Sequence, residues 1–361
     1  MSWTSLVSHR SSHGRRSPAG LSRAALAERK QTAVAPGDHP ELAQDLRMAR
    51  ELQQGLLLQT VPRLAKWELA AASLPASDLG GDLYDFPSLD GGWHGLMIGD
   101  VSGHGLAAAL RMAVARTLFR QVARERCDPG QTLAALNRAL ISEMPHGMVT
   151  MIYVHAEIET GKLHIANAGH NFPILIGHDV RELEISGLPL GIDPDAEYET
   201  ITATLEPGET ALLYTDGITE ANDRRERMYG YTRLQSLLLR HHQQRPRSMM
   251  ATILNTVKAW SDNRLADDVT MVVMRRRLPD LNAELRNVCV DIMGEMAAAA
   301  LWVELAHLPG DLEAWQAALP KLGKTVQARH GRGLSRELLS QLRLTLEEYR
   351  PVVRSEVDAL V

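Results

Sequence analysis

The sequence predicts a mixed α/β (α+β) domain that is followed by an all-helical segment. Between about residues 62 and 278, short runs of β-forming residues alternate with longer helical patterns. After Pro279 the β patterns stop and almost pure helix follows, with Pro320 and Gly323 among the residues expected to separate the helices. We therefore expect a domain boundary near residue 280 and a bundle of three to five helices over 279–361.

The α/β pattern is built from short, well-punctuated segments. Thr160 and Gly161 predict the turn of a β-hairpin, and Asp128 followed by Pro129 predicts the start of a helix. We predict strands over 67–73, 93–101, 149–157, 162–167, 172–176, 201–205, 210–214 and 269–274, and helices over 106–125, 131–143, 231–241 and 248–260.

Two segments precede this domain. Residues 1–37 are rich in Ser, Arg, His and Gly without apolar periodicity, which predicts a disordered basic arm. Over 38–61 we predict a linker helix that begins with Asp38 as N-cap and Pro40 in its first turn. Its apolar residues have a short coiled-coil spacing. Such a helix either packs on its own domain or serves in dimerisation and signal reception. The apolar positions are Leu42, Leu46, Ala49, Leu52 and Leu56.

Composition excludes several classes of protein. The 361 residues include 39 basic and 44 acidic side chains, a net charge of −5, so nucleic acid is not an expected partner. The two cysteines, Cys127 and Cys289, support neither a disulfide framework nor a thiolate zinc site, which favours a reducing cytoplasm. The most apolar window, 296–303, is far shorter than the ~20 residues that span a bilayer. We therefore expect a cytoplasmic protein without a membrane span.

Aspartates at turns and strand ends carry the candidate chemistry. They lie in four segments: 80–85, 98–105, 214–217 and 266–270. A single such Asp is usually a turn or cap residue. Several carboxylates at adjacent strand ends repel one another unless cations lie between them, and oxygen ligands select Mg²⁺ or Mn²⁺. Two such ions would suit phosphoryl transfer, and the chain has no G-x-x-x-x-G-K-[ST] loop that would indicate a P-loop enzyme.

The order of these motifs resembles a known family, the metal-dependent (PPM-type) serine/threonine protein phosphatases, in their bacterial SpoIIE-like branch. The resemblance runs from about residue 52 to residue 274. It rests on six ordered motifs: 80–86, 99–105, Asn167-Ala168-Gly169-His170, 187–191, 213–217 and 267–273.

The resemblance implies an αββα four-layer sandwich with two Mn²⁺ or Mg²⁺ ions at one end. Asp82 and Asp100 match the bridging and first-metal ligands, and Val101 supplies a backbone carbonyl. Asp216 and Asp267 match the second-metal carboxylates. We expect these four aspartates to be the catalytic set.

Four other residues near these motifs have open roles. Asp268 is expected to support the site rather than bind metal, and Asp85 either reaches the ions through water or holds a turn. His104 is either a general acid or part of the turn that opens the next helix. His170 is expected to hold its turn by hydrogen bonding.

The resemblance also implies a substrate and a pathway. The expected substrate is a phosphorylated anti-sigma-factor antagonist in a partner-switching pathway. An activating protein or a homodimer is expected to act through the linker helix, and residues 279–361 are expected to dock or dimerise. The alternatives are a catalytically inactive or regulated-off protein that binds phosphoproteins, and an enzyme that acts on small phosphoesters.

Overall fold

The computed structural model describes residues 40–57, 61–124, 128–144, 147–305, 308 and 310–349. The basic arm predicted over 1–37 and the predicted N-cap Asp38 lie outside these residues. None of the helices in the described ranges combines the length and the apolar character that crossing a membrane requires.

The described chain contains an N-terminal helix, a β-rich region with two helix pairs, and a C-terminal run of helices. The strands are β1 (Trp67–Leu74), β2 (Leu83–Asp85), β3 (Trp93–Val101), β4 (Val149–Glu157), β5 (Lys162–Ala168), β6 (Ile174–Ile176), β7 (Val180–Glu182), β8 (Ile201–Thr204), β9 (Thr210–Tyr214) and β10 (Val269–Arg276). The helices are α1 (Pro40–Leu56), α2 (Gly105–Ala123), α3 (Pro129–Glu143), α4 (Tyr231–Arg240), α5 (Pro246–Trp260), α6 (Leu281–Met293), α7 (Glu295–Leu305), α8 (Leu312–His330) and α9 (Arg332–Glu348).

The strands form two five-stranded antiparallel sheets. The first sheet has the order β1-β10-β9-β6-β7 and the second β2-β3-β4-β5-β8. In the first sheet, Ser73 pairs with Thr270. In the second, Asp100 pairs with Thr150. Strands β9 and β10 are thus neighbours in one sheet, as β2 and β3 are in the other, and these four strands adjoin the aspartate motifs.

Three apolar clusters divide the β-rich region into four layers. One cluster joins the inner faces of both sheets, with Ile98 and Val154 from one sheet and Leu213 and Val272 from the other. A second packs α2 and α3 on the outer face of the second sheet, and a third packs α4 and α5 on the outer face of the first sheet. The predicted αββα sandwich is confirmed.

Local sequence explains why these layers form. Along β3, Met97 contributes to the outer cluster while Leu96 and Ile98 contribute to the inner one, as the alternation of a strand requires. Asp128 accepts a hydrogen bond from the Gln131 amide at 2.9 Å and so caps α3, whose first residue is Pro129. The hairpin turn between β4 and β5 has Gly161 at φ +81°.

The C-terminal residues differ from expectation at two helix breakers. Pro320 and Gly323 were expected to punctuate this region, but both lie inside α8. Leu319 and Leu322 on either side of Pro320 are buried in the C-terminal core, and this packing offsets the lost backbone hydrogen bond. Gly323 lets α9 pack closely against α8, because a Cβ at this position would lie only 2.5 Å from Leu339 Cδ1. The sequence also missed β2 and β7, which have three residues each.

Helices α6–α9 form an apolar core of their own that includes Trp315 and Leu338. They contact the sandwich through buried ion pairs, and Arg275 at the end of β10 lies 2.7 Å from Glu284 of α6. The boundary predicted near residue 280 falls between β10 and α6. The division into domains 38–61, 62–278 and 279–361 stays a prediction.

Helix α1 contains the predicted coiled-coil positions in its described part. Leu52 is 71% exposed, whereas its neighbour Gln53 is buried. The described residues therefore leave Leu52 of the apolar seam uncovered. The polar side chain of Gln53 is buried against them.

Candidate functional site

Asp82 is a buried carboxylate at the start of β2, with 4% of its surface exposed. Thr215, directly after β9, donates a hydrogen bond from Oγ1 to Asp82 Oδ2 at 2.9 Å. Burial raises the pKa of Asp82 well above its ordinary value, and repulsion from Asp100 raises it further. The contact between Thr215 and Asp82 joins the two sheets at this end of the sandwich.

Asp100 and Asp216 extend the same region from the other strands. Burial raises the pKa of Asp100 to about 7, and the charges of Asp216, Asp267 and Asp268 add to the effect. The pKa of Asp216 is also raised, first by burial and then by repulsion from Glu220 and Asp267. These carboxylates are therefore close enough to disfavour one another's ionised forms.

The adjacent Asp267 and Asp268 have different surroundings. Asp268 is buried, and its two carboxylate oxygens accept hydrogen bonds from the Ala76 amide at 2.8 Å and the Gly81 amide at 2.7 Å. Asp267 is exposed, and its carboxylate accepts only from the Asp268 amide among the hydrogen bonds of the described residues. Asp268 thus holds the loop before Asp82, and Asp267 keeps free oxygen atoms for a ligand.

Glycines allow the backbone to approach these groups closely. A Cβ on Gly80 would lie 2.2 Å from Asp268 Oδ2, and one on Gly217 would lie 2.0 Å from the Asp268 carbonyl oxygen. A Cβ on Gly81 would lie 2.7 Å from the Val101 carbonyl oxygen, the backbone atom that we expect to bind metal. No larger residue fits at these three positions without displacing the site.

The structure brings together five aspartates that are far apart in sequence. Asp100, Asp216, Asp267 and Asp268 each raise the pKa of at least one other member, and Asp100 and Asp268 raise that of Asp82. None forms a salt bridge with a Lys, Arg or His within the described ranges. We call this group the aspartate cluster: Asp82, Asp100, Asp216, Asp267 and Asp268.

The cluster has the donor chemistry of a divalent-cation site. All its ligands are hard oxygens, and a cation would relieve the repulsion that raises the pKa of Asp82 and Asp100. In the part of the chain that the structure describes, no three His, Cys, Asp or Glu side chains already converge on a common metal position. The oxygen donors suit Mg²⁺ or Mn²⁺ by type, but the described side chains form no preassembled metal site, and their role as ligands stays a prediction.

Asp85 is fully buried beneath helix α2, where it pairs with two arginines of that helix. Its Oδ1 accepts from Arg120 Nη2 at 2.9 Å, and its Oδ2 lies 3.3 Å from Arg116 Nε. Asp85 thus anchors α2 to β2, a structural role that leaves its carboxylate engaged.

The two candidate histidines lie in different environments. His104 is exposed at the N-cap of α2, and its side chain makes no capping hydrogen bond. His170 is buried, and its Nδ1 lies 2.8 Å from Oγ1 of Thr150, the residue paired with Asp100. Burial lowers the pKa of His170 to about 4, so the ring is neutral at pH 7. Asn167 closes the turn before His170, since its Oδ1 accepts from the His170 amide at 2.8 Å.

Two residues near the cluster were not identified from the sequence. Thr215 stands between Tyr214 and Asp216, and only the packing of one sheet against the other places its hydroxyl beside Asp82. Gln53 contacts the loop that leads to Asp82. Its Nε2 donates to the Gly80 carbonyl at 2.7 Å, and its Oε1 accepts from the Gly80 amide at 3.2 Å. Gln53 shares the face of α1 that holds Ala49 and Leu56, four residues before it and three after it, but its polar side chain gave no signal of burial.

Comparison with known families connects this site to one of them. The family model for Stage II sporulation protein E (SpoIIE) matches residues 90–277, which is more than half of the chain. The chain belongs to the SpoIIE family. It is therefore among the PPM-type serine/threonine protein phosphatases, as the sequence motifs predicted.

Curated relatives and solved structures agree with this assignment. The chain is 29% identical over 249 residues to "Phosphoserine phosphatase RsbU" of Bacillus subtilis, an alignment that covers 67% of this chain and 73% of the relative. It is 28% identical over 184 residues to "Phosphoserine phosphatase RsbP" of the same species, covering 49% of this chain and 45% of the relative. Its fold is similar to that of the SiaA-PP2C domain of Pseudomonas aeruginosa, with a TM-score of 0.59, 21% identity, and coverage of 66% of this chain and 98% of that domain.

The family match includes most of the aspartate cluster. Asp100, Asp216, Asp267 and Asp268 lie inside the matched residues 90–277, whereas Asp82 precedes them. Helices α6–α9 follow the match entirely. The family assignment therefore concerns the sandwich, and the C-terminal helices are an addition to it.

Proposed function

We propose that this chain is a metal-dependent phosphoserine and phosphothreonine protein phosphatase. The observation that carries the proposal is the aspartate cluster, in which buried carboxylates from both sheets of a SpoIIE-family sandwich repel one another without a neutralising side chain among the described residues. Asp82, Asp100, Asp216 and Asp267, with the Val101 carbonyl, would hold two Mn²⁺ or Mg²⁺ ions. Such ions supply an activated water and neutralise charge on the phosphoryl group.

The remaining residues of the site hold these ligands in position. Thr215 fixes the Asp82 carboxylate by a hydrogen bond, and Asp268 fixes the loop before Asp82 through two backbone amides. Because both contacts cross between the sheets, they keep the ligands of one sheet aligned with those of the other. Fixed ligands lower the reorganisation that the reaction requires.

The substrate is proposed to be a phosphorylated anti-sigma-factor antagonist in a partner-switching pathway. Support comes from the family resemblance and from the relatives named as phosphoserine phosphatases. The cytoplasm is the proposed location, because such a pathway operates there.

Regulation is proposed to act through helix α1, by an activating protein or by a second copy of the chain. Gln53 of this helix contacts Gly80 through both of its amide atoms, two residues before Asp82. The exposed Leu52 lies on the adjacent face of the helix. A partner that shifts α1 would therefore move the loop that carries a proposed metal ligand.

Phosphate release tests the proposal. Phosphorylated antagonist proteins and para-nitrophenyl phosphate are incubated with Mn²⁺, Mg²⁺ or chelator, with wild type, Asp216→Asn and the exposed control Asp179→Asn. We expect metal-dependent release that is lost only in Asp216→Asn. Binding of the phosphoprotein without release in any metal would favour the inactive binding protein. Faster release from the small ester than from every phosphoprotein would favour a small-molecule phosphatase.

A further inference from the structure

Two surface segments that are close to Asp216 and Asp267 in sequence form an arginine-rich patch. The first, the arginine loop of residues 222–228, begins six residues after Asp216, and the second, 261–264, ends three residues before Asp267. They are joined by an ion pair of 2.6 Å between Arg224 and Asp262. Together they line a cavity of 440 Å³.

The arginine loop has a fixed conformation. Asn222 and Met228 form an isolated β-bridge. Beside this bridge, the Tyr229 amide donates a hydrogen bond to the Ala221 carbonyl at 2.8 Å. Within the loop, the Asp223 carboxylate accepts from the amides of Arg225 and Arg227, each at 2.9 Å. A loop held in this way loses little conformational entropy when it binds a partner.

Trp260 supports the same surface from helix α5. Its indole Nε1 donates to the Arg227 carbonyl at 3.2 Å. The guanidinium of Arg233 lies 4.4 Å from the Trp260 ring centroid, and that of Arg227 lies 5.6 Å from it. Cation–π contacts of this kind keep positive charge in place without neutralising it.

The charge of the patch is positive and partly uncompensated. Its two segments contain four arginines and three acidic residues, and Arg233 of α4 adds a fifth arginine, in a chain whose net charge is −5. Arg225 and Arg264 are exposed, and neither forms an ion pair with another residue in the ranges that the structure describes. The arginines are Arg224, Arg225, Arg227, Arg233 and Arg264, and the acidic residues are Asp223, Glu226 and Asp262.

We propose that the arginine loop and residues 261–264 bind an acidic stretch of the phosphorylated protein whose phosphoserine enters the aspartate cluster. The inference rests on the proposed phosphatase function and adds a specificity to it. The arginine loop begins six residues after Asp216 and residues 261–264 end three residues before Asp267, so we expect a peptide bound at the cluster to reach them. Arg225 and Arg264 would supply charges that a neutral or basic peptide leaves unpaired.

Two synthetic phosphoserine peptides test this specificity. They have the same length, and they differ only in flanking residues, which are Asp and Glu in one and Asn and Gln in the other. Hydrolysis by the full chain with Mn²⁺ is measured at low and high salt. We expect kcat/KM to be about fivefold higher for the acidic peptide at low salt, and the ratio to approach one in ~1 M NaCl, where screening is short-ranged.

The variant R225E/R264E reverses the two uncompensated charges. We expect its preference for the acidic peptide to disappear or invert, while hydrolysis of para-nitrophenyl phosphate stays within about twofold of wild type. R332E/R336E, which makes the same change of charge on exposed positions of α9, should keep the preference. R225Q/R264Q provides a milder pair that should weaken the preference if the reversal disturbs folding.

Three outcomes would overturn the inference: a wild type without preference, a preference that persists in R225Q/R264Q, or one that R332E/R336E also removes. Fluorescence anisotropy of both peptides separates this inference from the proposed function. A protein that binds the acidic peptide more tightly through Arg225 and Arg264 but releases no phosphate in any metal would refute the phosphatase proposal and leave the binding surface standing.

Discussion

The two ends of strand β10 carry charges of opposite character. At the start, Asp267 and Asp268 belong to the aspartate cluster, whose charges no side chain neutralises among the described residues. At the C-terminal end, ~24 Å away along the strand, Arg275 and Arg277 belong to a network of paired charges. Charges at the start of β10 repel one another, whereas those at its end pair and hold the structure together.

We call the paired group the ion-pair network. Arg245 lies 2.8 Å from Glu68, Arg275 lies 2.7 Å from Glu284, and Arg277 pairs with Glu348. The three positive and three negative charges balance. Burial alone would raise the pKa of Glu284, but Arg275 and Arg277 lower it below its ordinary value. A balanced network needs no further ligand, whereas the aspartate cluster has repelling charges that the proposed cations would neutralise.

Removal of one partner from the ion-pair network should have the largest effect on stability. Glu284→Gln leaves Arg275 buried without its closest carboxylate, so we expect the free energy of unfolding to fall by ~3–5 kcal/mol. Urea denaturation measures this free energy. Phosphate release at low temperature should remain, because the aspartate cluster is untouched. A loss below ~1 kcal/mol would show that the network contributes little, and the exposed Glu337→Gln serves as control.

Removal of one aspartate from the cluster should have the opposite effect on stability. Asp100→Asn removes a carboxylate whose ionised form is disfavoured, so we expect the metal-free protein to become more stable. Metal-dependent phosphate release should fall about 100-fold, which corresponds to ~2.7 kcal/mol of barrier. Denaturation in EDTA and single-turnover hydrolysis measure the two quantities. A variant that is both less stable and fully active would contradict the distinction drawn between the two ends of β10.

The pH dependence of stability should differ in sign between the two groups. The pKa of Asp100 is raised to about 7, so the stability that its protonation provides is lost as pH rises from about 4 to about 7 in metal-free protein. The pKa of Glu284 is lowered, so its contribution is present above its unfolded pKa and is lost as pH falls below about 4.3. We expect Asp100→Asn to remove ~2 kcal/mol of the first trend and none of the second.

Chemical denaturation in EDTA at several pH values measures these trends. Addition of Mn²⁺ should flatten the Asp100 trend in wild type, because a bound cation favours the ionised carboxylates. A wild type whose metal-free stability rises steadily from pH 4 to pH 7 would contradict the charge assignment of the cluster.

The contact between Gln53 and Gly80 should have a smaller effect. Gln53→Ala removes two hydrogen bonds to a buried backbone, so we expect a loss of ~1 kcal/mol in stability. Phosphate release should change more than it does in Glu51→Ala, an exposed neighbour on the same helix. Equal activity of both variants would remove the support for regulation through α1.

Much of the fold was predictable because its signals are local. Strands β3, β4 and β9 have the bounds that their apolar runs predicted, and α3 begins at its predicted cap and proline. Strands β2 and β7 were missed because three residues carry too little periodicity. Pro320 was misjudged because packing of its neighbours outweighs its local preference.

The candidate site was likewise predictable only where its signals are local. The motifs indicated which aspartates are candidates, because an Asp beside Gly at a strand end can be recognised from the sequence alone. Whether Asp85 faces a metal or a helix depends on α2, whose Arg116 and Arg120 occupy it. The different environments of Asp267 and Asp268 depend on the amides of Ala76 and Gly81, nearly two hundred positions earlier in the chain.

The sequence by itself determined the class of this protein. Ordered motifs, local caps and alternating apolar residues specified a SpoIIE-family sandwich with acidic strand ends, since each of these features acts over a few residues. Only the tertiary structure decided which buried charges are paired and that Gln53 holds the loop before Asp82. It also decided that Arg225 and Arg264 are exposed without ion-pair partners among the described residues. The pairing of a charge depends on residues distant in the chain, and folding alone brings them within Coulombic range.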